Sequence, residues 1–332
     1  MKFIRIILFP VVPIYYFVTW LRNRLYDAGI KSSKSYDFPV ICVGNLSTGG
    51  TGKTPMIEYL IRLLKDDNKI ATLSRGYKRK TKGFVLANNK ATAETIGDEP
   101  FQIYSKFENI TVAVDANRQN GIEQLRALPN KPEVILLDDA FQHRKVKAKL
   151  NILLTAYNNL FFTDMVLPTG NLREPRAGYK RADIIVVTKC PDNLGKSEKS
   201  EIINGISPLP HQKVFFSKIR YGSEVISTHR KRDLCSLPPF TLVTGIANDN
   251  PLVEFLNSLK LEFEHLKYAD HYNYTESDII ELEKKELIVT TEKDFVRLKE
   301  ARNLTNKLFY IPIEIDIDNS KRFTTFVNSF LN

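Results

Sequence analysis

The chain has 332 residues, of which 43% are hydrophobic, so it can bury the core of a large domain with a smaller companion. Its 48 Lys and Arg residues outnumber its 38 Asp and Glu residues, and the formal charge of +10 favours an anionic partner. Three scattered cysteines exclude a disulfide framework, and the five histidines lack the paired spacing of zinc ligands. The composition is typical of a soluble globular protein.

The first 35 residues are predicted to form an N-terminal helix that associates with a membrane. An uncharged run, IILFPVVPIYYFVTWL, extends from Ile6 to Leu21 between basic residues. It is shorter than the roughly 20 apolar residues of a spanning helix, is interrupted by Pro10 and Pro13, and is rich in aromatic residues. Seating at the membrane interface therefore fits better than crossing. An ordinary core helix stays open, whereas a signal peptide is disfavoured because no small-residue cleavage site follows.

Short apolar runs alternate with helical patterns after residue 35. Fully apolar strands separated by helices indicate a parallel sheet that is covered on both faces, so we predict an α/β domain over residues 36–220. A second set of strands predicts a smaller α/β lobe over residues 221–315, followed by a C-terminal helix over residues 316–332. The predicted strands begin at Val40, Ile70, Thr111, Val134, Ile152 and Ile184 in the larger domain, and at Phe240, Leu287 and Leu308 in the smaller lobe.

A glycine-rich loop follows the first predicted strand. The sequence STGGTGKT, from Ser47 to Thr54, joins a strand to a helix, which is the context of a P-loop. Its backbone N–H groups are expected to cradle phosphates, while Lys53 reaches the β- and γ-phosphates and Thr54 holds Mg²⁺. Ser47 replaces the usual first glycine, and a glycine-rich hairpin without a ligand is the alternative. The residues predicted to contact the nucleotide are Thr48, Gly49, Gly50, Thr51, Gly52, Lys53 and Thr54.

A later apolar strand ends in two carboxylates, Asp138 and Asp139. This is the Walker-B arrangement, which brings an acid to the sheet edge that carries the P-loop and positions Mg²⁺ there. Ligand sites in open α/β sheets gather at the carboxyl ends of strands, so the two motifs support each other. The fold predicted from both is a P-loop NTPase-like parallel sheet flanked by helices. Asp139 could instead cap the segment that follows it.

Further polar clusters follow predicted strand ends and loops. Taken singly, each is more often a cap, a turn or a surface ion pair. The resemblance of their joint order to the tetraacyldisaccharide 4'-kinase family covers most of the chain, from about Leu21 to Leu298. The motifs that carry it are Gly-Gly-Thr-Gly-Lys-Thr-Pro, Ser-Arg-Gly-Tyr77, Gly-Asp98-Glu-Pro, Leu-Asp-Asp-Ala-Phe-Gln-His143, Leu-Arg173-Glu-Pro, Asp270-His271 and Thr291-Glu-Lys-Asp294.

The resemblance implies ATP as the phosphoryl donor and Mg²⁺ as its metal. It implies a lipid A precursor, a tetraacylated glucosamine disaccharide 1-phosphate, as the acceptor. It further implies two lobes that close around the nucleotide, and a peripheral protein whose N-terminal helix docks on the cytoplasmic face of the bacterial inner membrane. No nucleic-acid partner is expected.

The resemblance also implies roles for individual residues. Asp98 takes the position of the acid that accepts the proton of the acceptor hydroxyl, and Glu99 lies near the metal. His271 is expected to orient Asp98 from the second lobe, although Tyr272 stands where relatives carry a second histidine. The other positions that the resemblance places in the cleft are Tyr77 on the nucleotide and Arg118, His143, Arg173 and Glu174 near the substrate.

Two other functions stay open from the residues alone. The segment Thr188-Lys189-Cys190-Pro191-Asp192 resembles the base-reading element of nucleotide switches and metallochaperone-type GTPases. An ATPase that acts on nucleic acid is suggested only by charge, since no basic stretch with interleaved aromatic residues is present. A switch would turn over nucleotide without a lipid acceptor, so dependence on an acceptor distinguishes it from a kinase.

Overall fold

Two β-sheets organise the fold in the computed structural model, which describes residues 8–270, 272–299 and 301–331. The chain first forms β1 (Val40–Asn45), β2 (Ile70–Ser74), β3 (Val85–Leu86), β4 (Thr111–Val114), β5 (Val134–Asp138), β6 (Leu150–Ala156), β7 (Ile184–Thr188) and β8 (Lys213–Tyr221). It then forms β9 (Glu224–Ile226), β10 (Lys231–Asp233), β11 (Phe240–Thr244), β12 (Phe263–Lys267), β13 (Ile288–Thr291), β14 (Leu308–Ile311) and β15 (Ile313–Ile317).

The helices connect these strands and cover the sheets. In chain order they are α1 (Val12–Asp27), α2 (Lys53–Leu64), α3 (Ala93–Ile96), α4 (Asp98–Lys106), α5 (Arg118–Arg126), α6 (Lys196–Ile206), α7 (Asn250–Ser258), α8 (Glu276–Glu283), α9 (Glu292–Leu298) and α10 (Ser320–Asn328). Short 3₁₀ turns, such as Phe9–Val11 before α1, fill some of the connections. No helix within the described ranges combines the length and the apolar character needed to cross a bilayer.

The larger sheet has the strand order β15-β8-β7-β6-β1-β5-β2-β4-β3, and its central strands are parallel. Its two edge strands, β3 and β15, run antiparallel to their neighbours. Val40 and Cys42 of β1 belong to the core on one face, while Ile41 and Val43 belong to the core on the other. Burial on both faces explains the fully apolar strands, and the predicted fold class is confirmed.

The smaller sheet has the order β10-β9-β14-β13-β11-β12, with β11 to β14 parallel. Strands β8 and β15 pair with each other and carry the chain out to this lobe and back, with Tyr221 opposite Ile313. The predicted boundaries at residues 220 and 315 fall near the end of β8 and inside β15, and the predicted C-terminal segment contains α10. The division into domains stays a prediction.

The N-terminal helix presents two different faces. Ile14, Phe17, Val18 and Leu21 recur at helical spacing and are 65%, 56%, 57% and 40% exposed. We call these four residues the apolar stripe. The other face is tied to the larger lobe, where the Tyr15 hydroxyl donates to the carbonyl of Arg173 at 2.9 Å. The helix is therefore an amphipathic surface element and not a core helix. Residues 1–7, which begin the predicted N-terminal segment, lie outside the described residues.

Buried charges join the two lobes on one side of the fold. Lys106 of α4 donates to Glu58 of α2 at 2.7 Å and to Glu292 of α9 at 2.5 Å. Gln102 donates to both carboxylates at 2.9 Å. Burial, reinforced by the neighbouring Glu58 carboxylate, raises the pKa of Glu292 to about 7. The contact between the lobes therefore contains a carboxyl that prefers to keep its proton.

This raised pKa predicts how stability depends on pH. Between about pH 4.5 and 7 the folded chain retains a proton that Glu292 has lost in the unfolded chain, so stability falls as pH rises through this window. We expect Glu292→Gln to reduce the fall in melting temperature between pH 5 and pH 8. Thermal unfolding across this range measures the effect, with Glu262→Gln at an exposed position as the control. An unchanged pH profile in Glu292→Gln would contradict the prediction.

Candidate active site

The loop between β1 and α2 is held in a P-loop-like conformation. Gly49 and Gly52 have φ values of 109° and 83°, in the left-handed region that favours glycine. The Asn45 amide donates to the Thr51 hydroxyl at 2.8 Å, and the Thr188 hydroxyl donates to the Thr51 carbonyl at 2.8 Å. The loop thus lies fixed at the N-terminus of α2, where backbone N–H groups favour a bound anion. Thr48, Gly49, Gly50, Thr51, Gly52, Lys53 and Thr54 all line one cleft.

The serine at the first position of the loop is accommodated by a neighbouring segment. Ser47 is buried and forms a bridge to Leu172. On either side of it, the N–H of Thr48 donates to the Asn171 carbonyl, and the N–H of Arg173 donates to the Leu46 carbonyl, both at 2.7 Å. The segment that carries Arg173 therefore stabilises the opening turn of the loop through backbone hydrogen bonds.

Lys53, Asp139 and Arg173 form one charged group at the start of α2. Arg173 donates to both carboxylate oxygens of Asp139, at 2.9 and 3.0 Å, and the Lys53 ammonium lies 3.7 Å from Asp139. Burial alone would raise the pKa of Asp139, but the two cations and the hydrogen bond from Arg173 outweigh it and lower that pKa. Asp139 thus orients two cations at the P-loop, and its backbone is left-handed, with φ of 48°.

Asp138 has a different environment. Asp138 is 8% exposed, and its Oδ1 atom has no hydrogen-bond partner among the described residues. Burial, with the added negative charge of Asp139 and Glu99, raises the pKa of Asp138 to about 7. An unpartnered buried oxygen beside further carboxylates suits a hard divalent cation, so Asp138, Glu99 and Thr54 fit the predicted Mg²⁺. Asp139, the fourth predicted ligand, lines the same cleft and contacts Lys53 and Arg173. Within the described residues, no cluster of three His, Cys, Asp or Glu side chains is already assembled around a metal position.

Asp98 begins α4 and contacts the second lobe. The Arg297 guanidinium on α9 donates to the Asp98 carboxylate through both Nε, at 3.1 Å, and Nη2. Glu99, the next residue, lines the cleft, whereas the structure does not place Asp98 on the lining. His271, the predicted partner of Asp98, lies outside the described residues. The hydroxyl of Tyr272 donates to Asp278 at 3.1 Å, in the second lobe.

The remaining predicted residues lie along the same cleft, except for Glu174. Arg118 is 3% exposed and donates to the carbonyls of Asp115 at 2.9 Å and Asp138 at 3.3 Å. Burial and the surrounding cations lower the pKa of His143 to about 4, so its imidazole is neutral at physiological pH. Tyr77 is 64% exposed at the rim.

Glu174 is buried, and its hydrogen bonds connect parts of the fold. Its carboxylate accepts hydrogen bonds from Asn23 at 2.6 Å, Arg181 at 2.7 Å and Gln142 at 3.0 Å. These donors come from α1 and from two segments of the larger lobe. Glu174 therefore fastens α1 beside the cleft, and it is not among the residues that line the cleft.

Comparison with known proteins identifies the family. The family model described as Tetraacyldisaccharide-1-P 4'-kinase (LpxK) matches residues 4–332. The chain belongs to this kinase family. The tetraacyldisaccharide 4'-kinase of Flavobacterium psychrophilum is 52% identical over 331 residues, covering 97% of this chain and 96% of the relative. That of Bacteroides thetaiotaomicron is 45% identical, covering 93% and 88%.

A solved structure from this kinase family has the same fold. The crystal structure of LpxK from Aquifex aeolicus in complex with ATP superposes with a TM-score of 0.79 at 28% identity, covering 99% of this chain and 100% of that chain. The resemblance inferred from the motifs is thus confirmed, as is the prediction of an enzyme of the kinase class. The alternatives of a nucleotide switch and of a nucleic-acid ATPase are set aside.

Sequence reasoning missed several cations of this kinase cleft, including Arg22, Arg75 and Lys189. Arg22 of α1 and Arg75 after β2 line it, as does Lys189 after β7. Lys189 has a left-handed backbone, with φ of 58°, and its ammonium lies 3.6 Å from the position that a Cβ on Gly50 would occupy. Each had a signal in the sequence, because Arg22 flanks the N-terminal apolar run and the other two belong to motifs noted there. These local patterns could not show that the three side chains line the same cleft.

Proposed function

We propose that this protein transfers the γ-phosphoryl group of ATP to the 4'-hydroxyl of a tetraacylated glucosamine disaccharide 1-phosphate. The observation that carries the proposal is the joint presence, in one cleft, of the P-loop lysine Lys53, the buried acid Asp138 and the arginine Arg173. Membership of the kinase family and the likeness to an ATP-bound structure support the choice of donor and acceptor.

The order of the strands divides the cleft into a donor side and an acceptor side. The P-loop follows β1, with β6 and β7 on one side of it and β5, β2 and β4 on the other. Lys189 follows β7, on the side where we propose that the nucleotide base binds. Asp138 ends β5, and Arg75 follows β2. The acceptor is therefore expected beyond Asp138, over the ends of β2 and β4, in line with the phosphates at the P-loop.

Phosphoryl transfer then requires positioning and charge neutralisation. The 4'-oxygen forms a bond to the γ-phosphorus as the bond from phosphorus to the β,γ-bridging oxygen breaks, and ADP leaves with that electron pair. Lys53 and Arg173 stabilise the negative charge on the transferring group. Mg²⁺, which Asp138, Asp139, Glu99 and Thr54 would hold, would supply further neutralisation of the phosphate charge. Asp98 accepts the hydroxyl proton, with His271 as its orienting partner.

The transfer of radiolabelled phosphate from ATP to the acceptor tests this function directly. Purified protein should move radiolabelled γ-phosphate from ATP to the tetraacylated disaccharide 1-phosphate in neutral detergent micelles. Nucleotide turnover that is independent of the acceptor would contradict the proposal, because it indicates a hydrolase or a switch.

The protein is further proposed to act at the cytoplasmic face of the bacterial inner membrane, as a peripheral protein docked through α1. The apolar stripe consists of four large apolar side chains that are exposed, and Arg24 follows it closely. Such a face gains free energy by entering the boundary between headgroups and acyl chains, while basic residues contact anionic lipids. The lipid acceptor resides in the same layer.

Substitution of the apolar stripe is expected to release the protein from membranes. Each large apolar side chain contributes about 1.5–3 kcal/mol when fully buried, so Ile14→Ser combined with Phe17→Ser and Val18→Ser should lower vesicle binding by roughly 100-fold or more. Flotation with vesicles that contain anionic phospholipid measures this loss. Ile30→Ser, at an exposed apolar residue beyond α1, is the control. Retention of binding by the triple variant would show that α1 is not the anchor.

A further inference from the structure

The smaller lobe contains a buried carboxylate to which the proposed reaction gives no part. Asp294, the third residue of α9, is fully buried. Its Oδ2 atom accepts hydrogen bonds from the backbone N–H of Gly245 at 2.8 Å and from the hydroxyl of Thr291 at 2.7 Å. Burial of an ionised carboxylate is costly unless a cation also lies nearby, so the surroundings of Asp294 should contain one.

Arg297, one turn further along α9, supplies that cation. Its Nη1 atom lies 3.8 Å from Oδ1 of Asp294, while Nε, at 3.1 Å, and Nη2 donate to Oδ2 of Asp98. The side chain of Arg297 is only 10% exposed. One guanidinium thus lies between two carboxylates, one from each lobe. Because the guanidinium is planar and rigid, a contact that fixes one of its edges also fixes the direction of the other.

Asp294 has little freedom to move. Gly245 directly follows β11, and a Cβ atom built on it would lie 2.7 Å from Oδ1 of Asp294 and 3.3 Å from the hydroxyl oxygen of Tyr274. The backbone approaches this carboxylate so closely that only glycine fits without displacing a neighbour. Asp294 is therefore held between the end of a strand and the first turn of a helix, and it provides a fixed point for Arg297.

A helix cap alone does not account for this arrangement. Thr275 and Asp278 form a similar cap at the start of α8, where the Asp278 carboxylate accepts from the Thr275 backbone N–H at 2.8 Å and from its hydroxyl at 2.6 Å. Asp278 is partly exposed and accepts a further hydrogen bond from the hydroxyl of Tyr272 at 3.1 Å. The cap therefore requires neither complete burial nor a neighbouring guanidinium, and both are present at Asp294.

We propose that Asp294 is a positioning residue for the general base and acts through Arg297. It holds the guanidinium in the orientation that presents Nε and Nη2 to Oδ2 of Asp98, and this contact fixes the plane of the Asp98 carboxylate relative to the acceptor hydroxyl. The proposal rests on the proposed kinase function, in which Asp98 accepts the proton of that hydroxyl. A misplacement of about 1 Å can cost roughly 100-fold in rate, so the orientation of the base affects kcat.

The test is a double-mutant cycle in the purified protein, assayed by transfer of radiolabelled phosphate to the disaccharide in neutral detergent micelles. Asp294→Asn retains an oxygen for Gly245 and Thr291 but removes the negative charge that faces Arg297. We expect it to lower kcat by roughly 5- to 50-fold, while the KM for ATP changes by less than about 3-fold. In the Asp98→Asn background the same substitution should change kcat by less than about 2-fold, because the base through which it acts is absent.

A purely structural role for Asp294 predicts a different result. Weakening of the smaller lobe would lower kcat by the same factor whether or not the Asp98 carboxylate is present. Asp278→Asn is the matched control, because it makes the same change at the third residue of α8, in the same lobe, and retains an oxygen for Tyr272. It should transfer phosphate as the wild type does. Arg297→Lys should retain more activity than Arg297→Met, because it keeps a positive charge between the two carboxylates.

The possible results separate this proposal from the proposed function. Wild-type kcat in folded Asp294→Asn, or an equal loss with and without the Asp98 carboxylate, would overturn the positioning role while leaving the kinase function intact. Should Asp294→Asn fail to fold, Arg297→Met takes its place in the cycle, and a loss that persists in the Asp98→Asn background overturns the proposal equally. A wild-type protein that does not phosphorylate the disaccharide would refute the proposed function itself.

Discussion

Replacing Lys53 by alanine is expected to abolish phosphoryl transfer, with kcat/KM reduced by at least roughly 10³-fold, since loss of one neutral transition-state donor already costs about 10²–10³ in rate. Lys53 is the first residue of α2 and lies 3.7 Å from Asp139 at the base of the P-loop. Alanine removes the cation that is expected to approach the β- and γ-phosphates, and α2 contains no second lysine that could replace it. Transfer of radiolabelled phosphate to the disaccharide acceptor measures the loss.

Two controls distinguish a loss of the Lys53 ammonium from a loss of the folded structure. Lys65→Ala, at the exposed end of the same helix, should retain wild-type transfer, because Lys65 is outside the cleft. Lys53→Ala should melt near the wild-type temperature, since Asp139 keeps its two contacts with Arg173. Substantial transfer by folded Lys53→Ala would contradict the placement of the triphosphate at this loop.

Replacing Asp98 by asparagine is expected to lower kcat by roughly 10²–10⁴-fold, the range that general-base catalysis contributes, with little change in the KM for ATP. Asparagine keeps the shape of the side chain and an oxygen that can accept from Arg297, but it cannot take the proton of the acceptor hydroxyl. Steady-state kinetics with both substrates varied measures the two constants separately.

The ion pair between Asp98 and Arg297 makes a second variant necessary. The two residues are 199 positions apart in the chain and connect α4 of the larger lobe to α9 of the smaller one. If Asp98 acts only by holding the lobes together, Arg297→Met should reduce kcat as much as Asp98→Asn does. If Asp98 is the base, Arg297→Met should be the milder variant, because the carboxylate remains. Equal losses would rule out the catalytic role.

The ion pair between Asp98 and Arg297 also connects the smaller lobe to a helix that carries a residue of the cleft. Asp98 contacts α9 in the structure, while its neighbour Glu99 lines the cleft. A movement of the smaller lobe therefore acts on the first turn of α4, which carries both residues. The buried contacts of Lys106 with Glu58 and Glu292 lie further along the same helix and join the same two lobes. The position of the smaller lobe and the placement of Asp98 and Glu99 are thus mechanically linked.

The sequence by itself determined the parts of this protein that are encoded by local patterns. The strands with both faces buried, such as Val40–Asn45 and Ile184–Thr188, are continuous apolar runs, and they were predicted correctly. Strands β8 and β15 were not predicted, because part of each is exposed and their sequences mix charged and apolar residues. The P-loop and the acidic pair could be recognised because each is a short contiguous segment whose chemistry requires fixed residue types.

Only the tertiary structure decided which distant residues meet. It joined Arg22 to the carbonyl of Gln142 across 120 positions, paired Asp98 with Arg297, and gave adjacent Asp138 and Asp139 opposite pKa shifts. The physical reason is that a local pattern reports burial and backbone conformation, which depend on near neighbours in the chain. Ion pairing and pKa depend on charges within a few ångströms in space, and these positions exist only after the strands have been ordered in the sheet.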